Sequence, residues 1–250
     1  MLIEQSAYAN RWRCVAPTAK GIFALGGFVA AFAAGTPAAA VAVAGLIVAV
    51  TLAGARIPPV RYLRVAAPAL FFLAMSGLSL AFSFNYAEAA GGLSLQLTSA
   101  GLHQVAEVSA RSLGALTALL FLVLTTPLID LIALLRRLKT PEVLLEIMVL
   151  CYRMLFVFSE AVHDTLTAQA ARLGYATPRL AMRSLGELAA NLTLQVWQRA
   201  HALHVAAQAR NNDGPLRFQE AIFDHAGRDI AVAATAGVAL IALAVGMGMA

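Results

Sequence analysis

The chain has 250 residues, of which 60% are hydrophobic and 12% charged, with a mean hydropathy of +0.77 and a formal net charge of +5. Soluble domains carry about 25% charged residues, so these proportions exclude an ordinary soluble fold and point to a bilayer. The basic residues are spread thinly and the aromatics sit in apolar runs, which argues against a nucleic-acid surface and fits basic loops beside membrane spans.

The polar start, Met1 to Lys20, lacks the basic, apolar and small-residue order of a signal peptide, so no cleavage is expected. From Lys20 to Arg56 there is then no charge. As one helix that run would measure about 52 Å, well beyond a hydrocarbon core of about 30 Å. Gly35-Thr36-Pro37 near its middle favours a turn, and two short spans joined by a hairpin are predicted. Val65 to Ala87 is a third uncharged run. A polar outer loop from about Glu88 to Arg111 follows, with a short surface helix expected over Gly101–Glu107. Ser112 to Ile129 is the fourth span, continuing past Asp130 to Leu135, and Ile230 to Ala250 is the fifth. Asp130 is the one charge expected near membrane depth.

The expected organisation is therefore transmembrane helices 1 to 4 over residues 1–135, a cytoplasmic region over 136–229 and a fifth span over 230–250. Within the middle region, Thr140-Pro141-Glu142 is a helix start, with Thr as N-cap and Pro at the first helical position. Leu144, Ile147, Met148, Cys151, Leu155, Phe158 and Val162 then recur at helical spacing. That helix runs to Arg172-Leu173, where Gly174 is expected to supply a left-handed cap. Thr177-Pro178 starts a second helix through Leu185, Leu188, Leu192, Trp197 and Leu203, ending at Ala209-Arg210 before the breaker run Asn211 to Pro215. The fold class is all-α: a polytopic membrane protein with about five spans plus two long cytoplasmic helices. Every Lys and Arg except Arg111 falls in 1–20, 56–64 or 136–229. The positive-inside rule then places the N-terminus in the cytoplasm and the C-terminus outside a cell (inner) membrane. Cys14 and Cys151 fall on the cytoplasmic side as free thiols.

Chemistry is sparse. There is no phosphate loop, no His-Glu-x-x-His and no set of catalytic residues. His201 and His204 stand three apart without a third ligand, so no metal site and no cofactor are expected. Glu160, His163 and Asp164 read as a solvated or partner-facing patch. The helix ends are more informative. Ala171-Arg172-Leu173-Gly174 closes the first and Ala209-Arg210-Asn211 the second, small residues preceding an arginine whose planar fork can pair with carboxylates on a partner. The bland alternative is that each arginine only complements its helix dipole.

These features resemble the T component of energy-coupling-factor (ECF) transporters, particularly the cobalt-type CbiQ family, over nearly the whole chain. Pro17-Thr18-Ala19-Lys20 is similar to that family's Asp-Pro-Arg-x-Lys sequence. Thr98 to Leu102 with Arg111, then Thr125-Thr126, Pro141 and Tyr152-Arg153, fall in the family's order. Ala171-Arg172 and Ala209-Arg210 match its paired Ala-Arg-Gly signatures, with Leu173 inserted before Gly174 and Asn211 in place of the second Gly. Asn tolerates the left-handed conformation next best after Gly. The resemblance implies a non-catalytic coupling subunit of an importer for cobalt, with nickel second, serving cobalamin biosynthesis. Its implied partners are an ATP-binding-cassette ATPase dimer, a substrate-binding membrane subunit, a small accessory membrane subunit and the lipid bilayer. A self-sufficient secondary carrier and a membrane-embedded enzyme are the competing classes.

Overall fold

A computed structural model describes residues 2–86, 93–97, 99–211, 223 and 225–249. The protein is an all-α polytopic membrane protein with one small β-hairpin, and it divides into two compact units. The first comprises Met1–Leu134 with Ala221–Ala250, the second Leu135–Glu220.

In the first unit, α1 (Leu2–Ala9) and a 3-10 turn (Arg11–Cys14) lead into α2 (Pro17–Ala33). The predicted hairpin follows. Thr36 is the N-cap of α3 (Pro37–Ala49), its hydroxyl accepting from the Ala39 N–H at 3.3 Å, and Pro37 opens the helix where no N–H is needed. A π-turn (Val50–Gly54) extends α3 into an apolar stretch of 18 residues, Pro37–Gly54. Helix α2, 17 residues long, is shorter than the other membrane candidates.

Helix α4 (Pro59–Ala81) corrects the third predicted span. It begins before Val65, taking in Arg61 and Arg64, and ends before Ala87. The reason is visible in Phe82-Ser83-Phe84-Asn85-Tyr86 and Leu93-Ser94-Leu95-Gln96-Leu97, which alternate apolar and polar residues with the period of a strand. These become β1 (Phe82–Tyr86) and β2 (Leu93–Leu97), an antiparallel pair in which Phe82 stands opposite Leu97 and Tyr86 opposite Leu93. Glu88, Gly92 and Thr98 lie outside the described residues.

The surface helix expected over Gly101–Glu107 is not separate. It forms the first turns of α5 (Ser99–Thr125), because nothing after Gly101 interrupts the helix. Glu107 and Arg111 support its continuity with an i,i+4 ion pair at 2.7 Å, the acid N-terminal to the base. The far end is corrected too. Pro127 disfavours helix at Thr126 and has no N–H to donate, so α5 stops at Thr125 and α6 (Leu128–Arg137) starts afresh with Asp130 in its first turn. The last helix, α9 (Ala226–Met249), starts one turn earlier than its uncharged run suggests.

The core of this unit is built largely from small residues. Gly26 on α2 faces Gly237 on α9, and a Cβ on Gly26 would stand 2.8 Å from the Gly237 Cα. A Cβ on Gly248 would likewise stand 2.9 Å from the Gly35 nitrogen. Between helices in lipid the hydrophobic drive is weak, and close backbone approach through small residues supplies the packing. Phe121 fills the wider gap on α5, edge-on to Phe23 at 4.9 Å and to Trp12 at 6.0 Å. Accordingly, Gly26→Leu is expected to separate α2 from α9. It should cost at least the 1–3 kcal/mol of overpacking, lowering the thermal midpoint of detergent-purified protein. Gly45→Leu, where a Cβ meets nothing within 4 Å, should shift it little.

The second unit holds the end of α6, then α7 (Glu142–Ala171) and α8 (Pro178–Ala209).

Candidate functional site

Helices α7 and α8 carry the residues singled out by the sequence. The start of α7 differs from expectation. Thr140 does not cap it; its hydroxyl donates to the Leu135 carbonyl at 2.8 Å and so closes α6, while Pro141 takes the N-cap position. Thr177 does cap α8 as predicted, accepting from the Leu180 N–H at 3.3 Å ahead of Pro178.

The predicted apolar stripe of α7 is not a core within this unit. Leu144, Ile147, Cys151 and Leu155 are exposed, as are Leu185, Trp197 and Leu203 on α8. Leu145 and Leu188 are the buried apolar exceptions. Away from their joining turn the two helices line a groove of about 1070 Å³, its wall apolar at Leu150, Met154, Phe158 and Leu203 and basic at Arg153 and Arg199.

Both helices end in the same backbone geometry. Ala171 is the last residue of α7; Arg172 follows at φ −94°, ψ 16°, then Leu173 at φ 57°. Ala209 is the last residue of α8; Arg210 follows at φ −97°, ψ 9°, then Asn211 at φ 52°. The closing bonds correspond: Arg172 N–H to Gln169 and Leu173 N–H to Ala170 in one, Arg210 N–H to Ala207 and Asn211 N–H to Gln208 in the other. Asn211 thus takes the left-handed conformation expected of it. Gly174 does not. Leu173 holds the left-handed position, and Gly174 is required for a different reason: a Cβ there would lie 2.7 Å from the Ser184 hydroxyl and 3.0 Å from the Gln169 carbonyl. The breaker run beyond Asn211 lies outside the described residues.

Arg172 and Arg210 are both exposed, and among the described residues neither side chain forms a hydrogen bond or ion pair. They are not brought together. The 32 residues of α8 separate the two turns, about 48 Å of helix. His201, His204, Glu160, His163 and Asp164 are all exposed, and among the described residues no three His, Cys, Asp or Glu side chains group as a metal-ligand set.

In the first unit, the sequence marked Lys20 only as part of Pro17-Thr18-Ala19-Lys20 and did not show its burial. Among the described residues the buried charge is Lys20, not Asp130. Lys20 is 2% exposed, and its ammonium donates to the Thr125 carbonyl at 3.0 Å, at the C-terminus of α5. The Asn10 amide donates to the same carbonyl at 3.1 Å and to the Ala7 carbonyl at 2.8 Å. Asp229 on α9 accepts from the Ala16 N–H at 3.4 Å, at the N-terminus of α2. A cation thus meets the negative end of one helix dipole and an acid the positive end of another. Asp130 is half-buried on α6. The available signal was the position of Lys20, the last charge before 35 uncharged residues and one turn inside a Pro-initiated helix.

The family model described as cobalt transport protein, CbiQ, matches residues 9–220. The chain belongs to the CbiQ family. The match takes in Lys20 and both arginine turns and stops before α9. A CbiQ cobalt transport protein of Rhodobacter capsulatus is 34% identical over 215 residues, 86% of each chain. An uncharacterized protein of Methanocaldococcus jannaschii is 35% identical over 134 residues, and the chain spans 50% of its length. A putative fused cobalt transport protein CbiMQ of Methanocorpusculum labreanum is 32% identical over 133 residues, 52% of this chain and 22% of the relative. Family membership and the four helices long and apolar enough to cross a bilayer make this a multi-pass membrane protein of the cobalt transport protein family.

Proposed function

We propose that this chain is the transmembrane coupling subunit of an ECF-type importer whose substrate is cobalt, with nickel as the nearest alternative. An ATP-binding-cassette ATPase pair hydrolyses ATP, a separate membrane subunit holds the metal ion, and this chain passes motion from one to the other without catalysis of its own. A fused relative whose name joins a second component to CbiQ in one chain supports a membrane partner of this kind. The observation that carries the coupling role is the repeated helix end. Two long helices finish in the same turn, each presenting an exposed arginine with no partner among the described residues. The left-handed turn itself is an ordinary helix end, which α6 shares at Leu138-Lys139. What α7 and α8 share beyond it is an exposed arginine at the same place in the turn, as two equivalent carboxylate-bearing grooves on an ATPase pair would require.

Affinity purification of the tagged chain from its native membrane tests this, because ATP-binding-cassette ATPases should co-purify stoichiometrically. Their absence under mild detergent would refute the reading. The purified chain alone should neither hydrolyse ATP nor bind cobalt stoichiometrically at micromolar concentration.

The proposed orientation has the N-terminus and residues 136–229 in the cytoplasm and the C-terminus outside. Both cysteines are exposed. An impermeant thiol reagent applied to intact cells should therefore label Gly92→Cys but neither Cys14 nor Cys151. Labelling of Cys151 from outside would invert the orientation of the helical unit.

A further inference from the structure

The turn that presents Arg172 is tied to the start of α8 by a closed ring of hydrogen bonds. The Gln169 side-chain amide donates to the Ser184 carbonyl at 3.0 Å. The Ser184 hydroxyl donates to the Gly174 carbonyl at 2.9 Å, and the Gly174 N–H donates back to the Gln169 carbonyl at 2.9 Å. The Tyr175 hydroxyl fixes the orientation of the Gln169 amide by donating to its Oε1 at 2.7 Å. Ser184 is buried, and the three side-chain bonds are part-buried. None of these side chains reaches the guanidinium of Arg172. Between them stands Leu173 at φ 57°, with its side chain 72% exposed. A left-handed leucine is strained and persists only where its surroundings over-determine it. The two helix-end bonds, Leu173 N–H to Ala170 and Gly174 N–H to Gln169, hold that conformation, as the equivalent pair holds Lys139 at the end of α6. The side-chain bonds of Gln169, Ser184 and Tyr175 then tie the turn to α8.

We infer that Gln169, Tyr175 and Ser184 are positioning residues that hold the Arg172 turn ready for its ATPase groove, an inference that rests on the coupling role proposed above. A docking arginine on a free turn would lose affinity to the ordering of that turn on binding, and a pre-set one does not. The ring acts on Arg172 alone, since Arg210 lies a helix length away.

The test measures binding of the co-purifying ATPases to the detergent-solubilised chain in three backgrounds. Gln169→Leu breaks both side-chain bonds of residue 169, and affinity should fall about tenfold in the otherwise unaltered chain. The same loss is expected on top of Arg210→Ala. On top of Arg172→Ala, Gln169→Leu should change nothing, because the group it positions is gone. Tyr175→Phe, which removes one hydroxyl bond and keeps the ring, should give a smaller loss with the same dependence on background. Amide hydrogen exchange on the isolated chain should show faster exchange over residues 173–176 in Gln169→Leu, with residues 210–211 unchanged. Equal losses in all three backgrounds would make Gln169 a general stability residue and overturn the inference, as would unchanged exchange at 173–176. If Arg172→Ala and Arg210→Ala together leave ATPase binding intact, the coupling role itself fails.

Discussion

On the coupling role proposed above, Arg172→Glu combined with Arg210→Glu should leave the protein in the membrane at near-normal level yet abolish ATPase binding and ATP-driven cobalt uptake. Each arginine is exposed on a helix end, so its removal leaves the folded chain almost untouched. A solvent-facing arginine that only complements its helix dipole contributes about 0.3–1 kcal/mol. An arginine buried against a carboxylate in an interface costs about 2–5 kcal/mol when truncated, roughly 30-fold or more in affinity at one site. Reversing the charge at both sites adds repulsion to that loss. The control is Arg183→Glu, which gives up a solvent-exposed ion pair with Glu187 at 3.1 Å. Such i,i+4 pairs contribute about 0.3–0.5 kcal/mol, so this variant should assemble and transport nearly as the parent does. The quantity to measure is the ATPase-to-chain ratio after affinity purification, beside cobalt accumulation in cells. A double variant that keeps its ATPases and transports normally would leave these two turns without a coupling role.

Most of the helical order was legible because the signals are local. Charge-free runs bounded by arginine, the turn at Thr36-Pro37, the cap at Thr177-Pro178 and the breaks after Arg172 and Arg210 need nothing from elsewhere in the chain. The errors arose where two local signals compete. Hydropathy alone reads Val65 to Ala87 as one span, although from Phe82 onward its period is 2 and the chain turns into β1. At Thr140-Pro141 a hydroxyl before a proline reads as the N-cap of α7, but it turns back to donate to the Leu135 carbonyl at the end of α6 and, among the described residues, accepts from no N–H of α7. The identity of Gly174 suggests a left-handed backbone, while the crowding that a Cβ there would meet comes from Ser184, ten residues away. The arginines of the candidate site were legible for the opposite reason: each is the last word of an uninterrupted helical pattern. Lys20 could not be read in the same way, because its partner is a backbone carbonyl 105 residues distant, and main-chain acceptors leave no trace in sequence.

Lys20→Glu should abolish accumulation of the folded protein, whereas Lys20→Met should be tolerated with moderate loss. The ammonium lies at the C-terminus of α5, where backbone carbonyls lack helical partners and the dipole is negative. A carboxylate in that buried position would face the Thr125 carbonyl, with Asp130 and Asp229 contributing like charge nearby and only the Arg13 charge to offset its desolvation. Methionine fills a similar volume without charge. It loses a charge-assisted hydrogen bond of about 1.5–3 kcal/mol but also sheds the cost of burying an ammonium, so the net loss is smaller. The Thr125 carbonyl also keeps its second donor, the Asn10 amide at 3.1 Å. That redundancy makes the sharper test. Asn10→Ala alone leaves Lys20 on the carbonyl, and Lys20→Met alone leaves Asn10. Together they leave a buried acceptor bare, which costs about 1–3 kcal/mol beyond the sum of the single losses. Thermal unfolding in detergent of the parent, both single variants and the double variant measures this coupling. Strict additivity would mean that Lys20 acts through its charge alone and not as half of a two-donor cap on α5.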